Sequence, residues 1–211
     1  GLPTLQGYGL TETSPVVSCN PIHKIRVETV GPPFKGNKVK IAKDGEILVK
    51  GENVMLGYWN NKEDTEKVLR DGWLYTGDIG EIDPQDGYLK ITDRKKDIIV
   101  SAGGDNISPA KIENQLTNSP AIDQCMVYGD GKNYLVALIV PNKEFEGQKE
   151  KINEIVGEIN KNLTLLEKIK KFHLINESFS IENGLLTPTM KVKRNKVIAK
   201  YKNILENFYK N

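Results

Sequence analysis

Within GYGLTE (residues 7–12) an aromatic ring, a hydroxyl and a carboxylate are strung around two glycines. Gly7 and Gly9 permit close approach of backbone to a ligand, and Tyr8 offers a flat face for a base. Thr11 supplies a hydroxyl for a phosphate, and Glu12 a carboxylate for a hard cation such as Mg²⁺. A second carboxylate, Asp78, ends GWLYTGD (72–78). There it could accept hydrogen bonds from two ribose hydroxyls, or merely brace an Asx turn. DRKKDIIVSAGGDNISPAKIE (93–113) carries Gly103 and Gly104, which could line a narrow ligand path or only shape a turn. In TPTMKVKR (187–194), Lys191, Lys193 and Arg194 crowd the start of the last helical pattern. Cations are disfavoured beside a helix N-terminus, so a phosphate met by one of them would explain their presence.

These groups have to be held by ordinary elements. Residues 1–35 are rich in Gly, Pro, Thr and Ser without sustained period, and are expected to be irregular or poorly ordered. From about residue 36 short strands with sharp turns predict a β-rich unit: KVKIAKDGEILVK folds about Asp44-Gly45, and LYTGDIGEID pairs with YLKITD across PQDG. A brief helix is expected at about 62–69, with Asn61 as N-cap. The charged run 93–97, DRKKD, cannot sit in a core and reads as a domain linker. Beyond it come a helix started by Ser108-Pro109, paired strands in IDQCMVYGD and NYLVALIV, and apolar residues 152, 155, 156, 159 and 163 on one helical face. A last helix takes Val197, Tyr201, Ile204, Leu205 and Phe208.

Composition narrows the function. Thirty Lys and Arg against 28 Asp and Glu give +2, too balanced for a generic nucleic-acid or membrane-surface binder. Residues 161–211 hold 11 basic and four acidic side chains, so a polyanion could meet that end, or the charges could simply solvate helix faces. No run approaches the ~20 apolar residues of a membrane span. Cys19 and Cys125 suggest neither a disulfide framework nor a zinc site, which predicts a cytoplasmic protein. P-loop, HExxH, GxSxG and strand-linked GxGxxG patterns are lacking, so hydrolase, dehydrogenase and metalloprotease readings have no support.

Taken together, YGLTE (8–12), GWLYTGD (72–78), the 93–113 run and TPTMKVKR (187–194), with GENVMLGYW (51–59), resemble in order and spacing the adenylate-forming acyl-CoA synthetases, in particular their long-chain fatty acid–CoA ligases. The resemblance implies an α+β protein. Residues 1–93 would be the end of the large N-terminal domain, a distorted barrel, and 94–211 a small mobile α+β domain hinged near Lys96. It implies an enzyme that joins a fatty acid to AMP with ATP and Mg²⁺, then transfers the acyl group to coenzyme A. Tyr8 would stack on adenine, with Gly9 among the nucleotide-binding residues, Thr11 would contact the α-phosphate, Glu12 would hold Mg²⁺, and Asp78 would bind the ribose with Arg94 assisting. Lys191 would bridge substrate carboxylate and α-phosphate, although the family's commonest motif has Gly where Met190 stands, and Lys193 is a rival. Rotation about Lys96 would withdraw Lys191 and bring Gly103 and Gly104 beside the pantetheine arm.

The family's phosphate loop and most of its acyl pocket would lie upstream, so these residues alone are expected to be inactive, and the missing N-terminal part is an expected partner. Peripheral membrane association of the parent is possible on the resemblance. Two alternatives stay open: a ligase of another acid or one that stops at acyl-AMP, and a non-catalytic nucleotide- or CoA-binding module.

Overall fold

A computed structural model describes residues 3–210 and divides the chain into two compact units, Gly1–Lys96 and Asp97–Asn211. The first contains β1 (Gly7–Gly9), β2 (Val16–Cys19), β3 (Lys38–Ile41), β4 (Glu46–Lys50), α1 (Lys62–Val68), β5 (Leu69–Arg70), β6 (Trp73–Ile82) and β7 (Leu89–Arg94). The second contains β8 (Ile99–Val100), β9 (Asn106–Ile107), α2 (Pro109–Thr117), β10 (Ile122–Tyr128), β11 (Leu135–Pro141), α3 (Lys149–Lys161), β12 (Ile169–Leu174), α4 (Arg194–Lys200) and α5 (Lys202–Asn207). The fold class is mixed α+β. Among the described residues no helix is long and apolar enough to cross a membrane.

In the first unit β6 is the spine. It pairs antiparallel with β4 on one edge, and with β5 and β7 on the other, while β3 adds outside β4 to complete a curled half-barrel. Its alternate residues Leu74, Thr76, Asp78 and Gly80 are buried and the residues between them less so, the period of a strand with one covered face. Ile47, Val49, Leu89 and Val17 form the core. α1 is capped as its sequence implies, Asn61 accepting the Asp64 N–H.

Most of the described residues before 36 are irregular, as the sequence implies, yet they are packed rather than loose. β1 and β2 form an antiparallel pair, and Val17 and Ser18 are fully buried. Asn20, also buried, donates to the carbonyls of Arg26 and Thr29 and accepts the Arg26 N–H. Its amide thus supplies the hydrogen bonds that a regular strand would have made, which is how a Gly- and Pro-rich segment becomes ordered.

The second unit is a three-stranded sheet, β10-β11-β12, covered on both faces. β11 is buried at every position. Ala137 and Ile139 pack with Ile112 and Leu116 of α2 and Ile152 and Val156 of α3. Val136, Leu138 and Val140 pack on the other face with Phe179, Leu186, Val197 and Leu205. α2 begins as its sequence implies: Ser108 caps by accepting the Lys111 N–H, with Pro109 next. The final helical pattern is divided in two at Tyr201.

Candidate functional site

Asp78 lies at the place where β6 and β7 align it with Arg94, and it is only 2% exposed. Its Oδ1 accepts Arg94 Nε at 2.6 Å, and its Oδ2 accepts the Tyr8 hydroxyl at 2.7 Å. The strand fixes the carboxylate from behind. Asp78 N–H donates to Thr76 Oγ1 at 3.1 Å, and that hydroxyl donates to the Ile47 carbonyl at 2.7 Å. Gly77 adopts φ +71°, a conformation that favours glycine, and its N–H donates to Glu46 Oε1 at 2.8 Å. Burial pushes the Tyr8 phenol well above its ordinary pKa, and the adjacent Asp78 carboxylate adds to the rise. Tyr8 therefore stays a hydrogen-bond donor at any working pH. Each carboxylate oxygen can accept two hydrogen bonds, so Asp78 keeps acceptor capacity for two hydroxyls of a bound ligand.

Tyr8, Asp78 and Arg94, drawn from three sequence segments, are thus brought together. Thr11 and Glu12 lie one turn on, in a short 3-10 turn, Thr11–Thr13. Thr11 is exposed. Thr13, which sequence reasoning passed over, is fully buried. Its Oγ1 accepts the Leu10 N–H at 2.9 Å and donates to the Pro15 carbonyl at 2.7 Å. The alternation of hydroxyls in Thr11-Glu12-Thr13 gave no hint of which one is structural. A side chain at Gly9 would collide with the Pro15 carbonyl, so this glycine serves the chain's own turn.

Glu12 accepts the Met55 N–H at its carbonyl and the Tyr58 hydroxyl at Oε1, at 2.8 and 2.7 Å. The bond to Glu12 raises the Tyr58 phenol to about 12. Among the described residues no group of three or more His, Cys, Asp and Glu could hold a metal ion. A single carboxylate with one oxygen uncommitted fits a Mg²⁺ ion held mainly by a ligand's phosphates, and does not fit an all-protein cage.

The other candidates belong to the second unit. Gly103 and Gly104 lie in a loop closed on itself: Ser101 Oγ accepts the N–H groups of Gly103 and Asp105 and donates to Asp105 Oδ2. The loop's base is tied to the β10–β11 turn, Ala102 N–H donating to the Lys132 carbonyl. Lys191 is exposed and, among the described residues, in no ion pair. Thr187 holds its main chain, with Lys191 N–H on Thr187 Oγ1 at 3.0 Å and Thr187 N–H on the Lys191 carbonyl at 2.8 Å. Met190 has φ +61° and is 66% exposed. The neighbouring cations are used differently. Lys193 is half-buried at the N-cap position of α4, where its side chain makes no capping bond, while Arg194 pairs with Glu113 at 2.5 Å. Lys96 stands at the boundary of the two units, in the 3-10 turn Lys95–Asp97.

Residues 96–211 match the family described as AMP-binding enzyme C-terminal domain, and residues 1–59 match AMP-binding enzyme. The chain is 41% identical, over 99% of its length, to the long-chain-fatty-acid–CoA ligase FadD15 of Mycobacterium bovis, and covers 38% of that protein. It superposes with a TM-score of 0.81 on the adenylation domain of a carboxylate reductase from Mycobacterium chelonae, 27% identical, covering 97% of this chain and 34% of that one. The TM-score is also 0.81, at 28% identity, for the adenylation domain of a carboxylic acid reductase from Segniliparus rugosus in complex with AMP and a co-purified carboxylic acid, with 97% and 35% covered. The chain thus spans well under half the length of the proteins it matches. With more than half of its residues inside one matching family, the chain belongs to the AMP-binding enzymes, the adenylate-forming superfamily.

Proposed function

We propose that these residues form the C-terminal part of an ATP-dependent long-chain fatty acid–CoA ligase. The observation that carries the reading is the buried Asp78 carboxylate, held between Tyr8 and Arg94 with acceptor capacity left over. That is what recognition of a ribose diol beside an aromatic face requires. The match to a fatty acid–CoA ligase supports the substrate class.

In the first half-reaction a carboxylate oxygen of the acid attacks the α-phosphorus of ATP, the bond to the bridging oxygen breaks, and pyrophosphate leaves. Tyr8 stacks on adenine, Asp78 accepts the ribose hydroxyls and Thr11 donates to the α-phosphate. Mg²⁺ accompanying ATP would neutralise phosphate charge, with Glu12 as its protein carboxylate. Lys191, in no ion pair among the described residues, supplies a cation where negative charge accumulates between carboxylate and α-phosphate. In the second half-reaction the CoA thiol loses its proton and attacks the acyl carbon, and AMP leaves. Rotation about Lys96 exchanges Lys191 for the Gly103-Gly104 loop between the two steps. Residues 1–211 alone make no acyl-AMP, because the phosphate-binding loop of such ligases is not among them.

The test uses the full-length protein carrying this chain, with ATP, a long-chain acid and CoA. Pyrophosphate release followed by acyl-CoA is the expected result; AMP formation without thioester would identify an acyl-AMP-forming relative. Lys191→Ala should slow pyrophosphate release by ~10²–10³, the usual cost of one transition-state donor, while thioester formation from supplied acyl-AMP is spared. Equal loss in both steps would remove Lys191 from its role, and a selective defect in Lys193→Ala would move the role by two residues.

A further inference from the structure

β10 is an edge strand, and at Val127 its unpaired side is occupied by two side chains. The Val127 N–H donates to Glu113 Oε1 at 2.7 Å, and the Val127 carbonyl accepts from Arg194 Nη1 at 3.1 Å. Glu113 Oε2 and Arg194 Nη2 close the ring at 2.5 Å. Both side chains are 17% exposed, so the pair is well shielded and each charge depends on the other. Together they take up the two main-chain groups that a further strand would have paired.

This ring also fastens something. Arg194 is the first residue of α4, three residues after Lys191. Between them the chain returns along a short ribbon: Leu186 bridges Val192, Lys193 N–H donates to the Leu185 carbonyl, and Thr187 exchanges bonds with Lys191. Lys191 stands near the ribbon's tip, and Arg194 is where the ribbon meets the sheet edge. Glu113 lies in α2, separated from the Gly103-Gly104 segment only by the short strand β9 and the Ser108 cap. We propose that Arg194 and Glu113 are positioning residues for Lys191, their ion pair fixing the ribbon to β10 so that the lysine keeps its reach during adenylation. The proposal rests on the role given to Lys191 above.

Glu113→Gln separates sealing from anchoring. The glutamine carbonyl can still accept the Val127 N–H, but its amide then presents a donor to Arg194, and the link to the ribbon is lost. Arg194→Lys keeps the charge while losing the two-pronged reach to Glu113 and Val127, and serves if the glutamine variant does not fold. In the full-length protein both should lower acyl-AMP formation by ~10–10², the scale of an ångström-sized misplacement, and leave thioester formation from supplied acyl-AMP and CoA within a few-fold of wild type. A readout independent of activity is trypsin cleavage of the native chain, mapped by mass spectrometry. Cleavage after Lys191 should accelerate by ~10-fold in the variants, as expected when a local segment opens more readily, with sites in α3 unchanged. Equal losses in both half-reactions, or no loss in either, overturn the proposal, as does an unchanged cleavage rate after Lys191. If Lys191→Ala itself shows no selective defect, the functional reading falls first and takes this proposal with it. If Lys191→Ala is selective and the two variants are not, only the proposal falls.

Discussion

At the scale of single residues, the Tyr8 hydroxyl holds Asp78, and the function proposed above gives its ring a separate task, stacking on adenine. Tyr8→Phe keeps the ring and should raise the ATP KM of the full-length enzyme only a few-fold, whereas Tyr8→Ala should raise it ~10-fold or more, since base–aromatic stacking is worth ~1–3 kcal/mol. Equal effects of the two variants would assign the whole contribution to the hydroxyl. The two cysteines offer a second contrast. Cys125 is buried, and burial pushes its thiol well above the ordinary value, with Glu113 adding to the rise. Because the thiolate is the reactive form, iodoacetamide should label Cys19 in the native chain long before Cys125. Mass spectrometry of the labelled chain would decide, and early modification of Cys125 would contradict its burial. Among the candidate residues, Tyr8, Asp78 and Lys191 could be nominated from the sequence because their motifs are ordered and spaced like a known family's. Thr13, Tyr58 and Glu113 were not, because a threonine in a turn, a tyrosine in a loop and a glutamate in a helix carry no signal until the chain brings Leu10, Glu12 and Val127 to them.

Elements divide along the same line. α1 and α2 could be read because a side chain at each start accepts a backbone N–H, a local interaction. β6 and β7 showed alternation and a turn between them. β12 escaped notice: Ile169–Leu174 exposes Lys170, Lys171 and His173, and only its parallel pairing with β11 makes it a strand. β1 and β2 were missed for want of any period, and the break at Tyr201 has no breaker residue to announce it. One hairpin gives a pH prediction. Lys95 bonds to Asp44 in the β3–β4 turn at 2.8 Å, and also to the buried Glu46 at 2.8 Å. Its ammonium holds the Asp44 carboxyl below the ordinary 3.8. A carboxylate lowered on folding stabilises above its unfolded pKa, and that contribution is lost as pH falls through the folded value. Asp44→Asn should therefore cost ~0.2–1 kcal/mol at pH 7, the range for an exposed pair. Urea titrations should show the gap closing as pH drops below about 3.8. A gap that widens there would mean the sign is wrong.

On the scale of the whole molecule, the two units each carry their own buried clusters. In the second, both faces of the sheet are covered by elements from residues 97–211. That segment expressed alone is expected to fold with a single cooperative denaturant transition. Leu138→Ala, at a fully buried position, should destabilise it by ~2–5 kcal/mol. A segment without a cooperative transition would mean that its core needs the first unit. The chain's two tryptophans, Trp59 and Trp73, both lie in the first unit, one 91% exposed and the other beneath Lys40, whose ammonium is 4.1 Å from the ring centre. Indole emission is therefore a probe placed in the first unit. An emission melt follows the curled sheet, and iodide should quench Trp59 well before Trp73. A far-ultraviolet dichroism melt follows both units, so any offset between the two curves, recorded on one sample without a label, measures how independently the halves of this chain come apart.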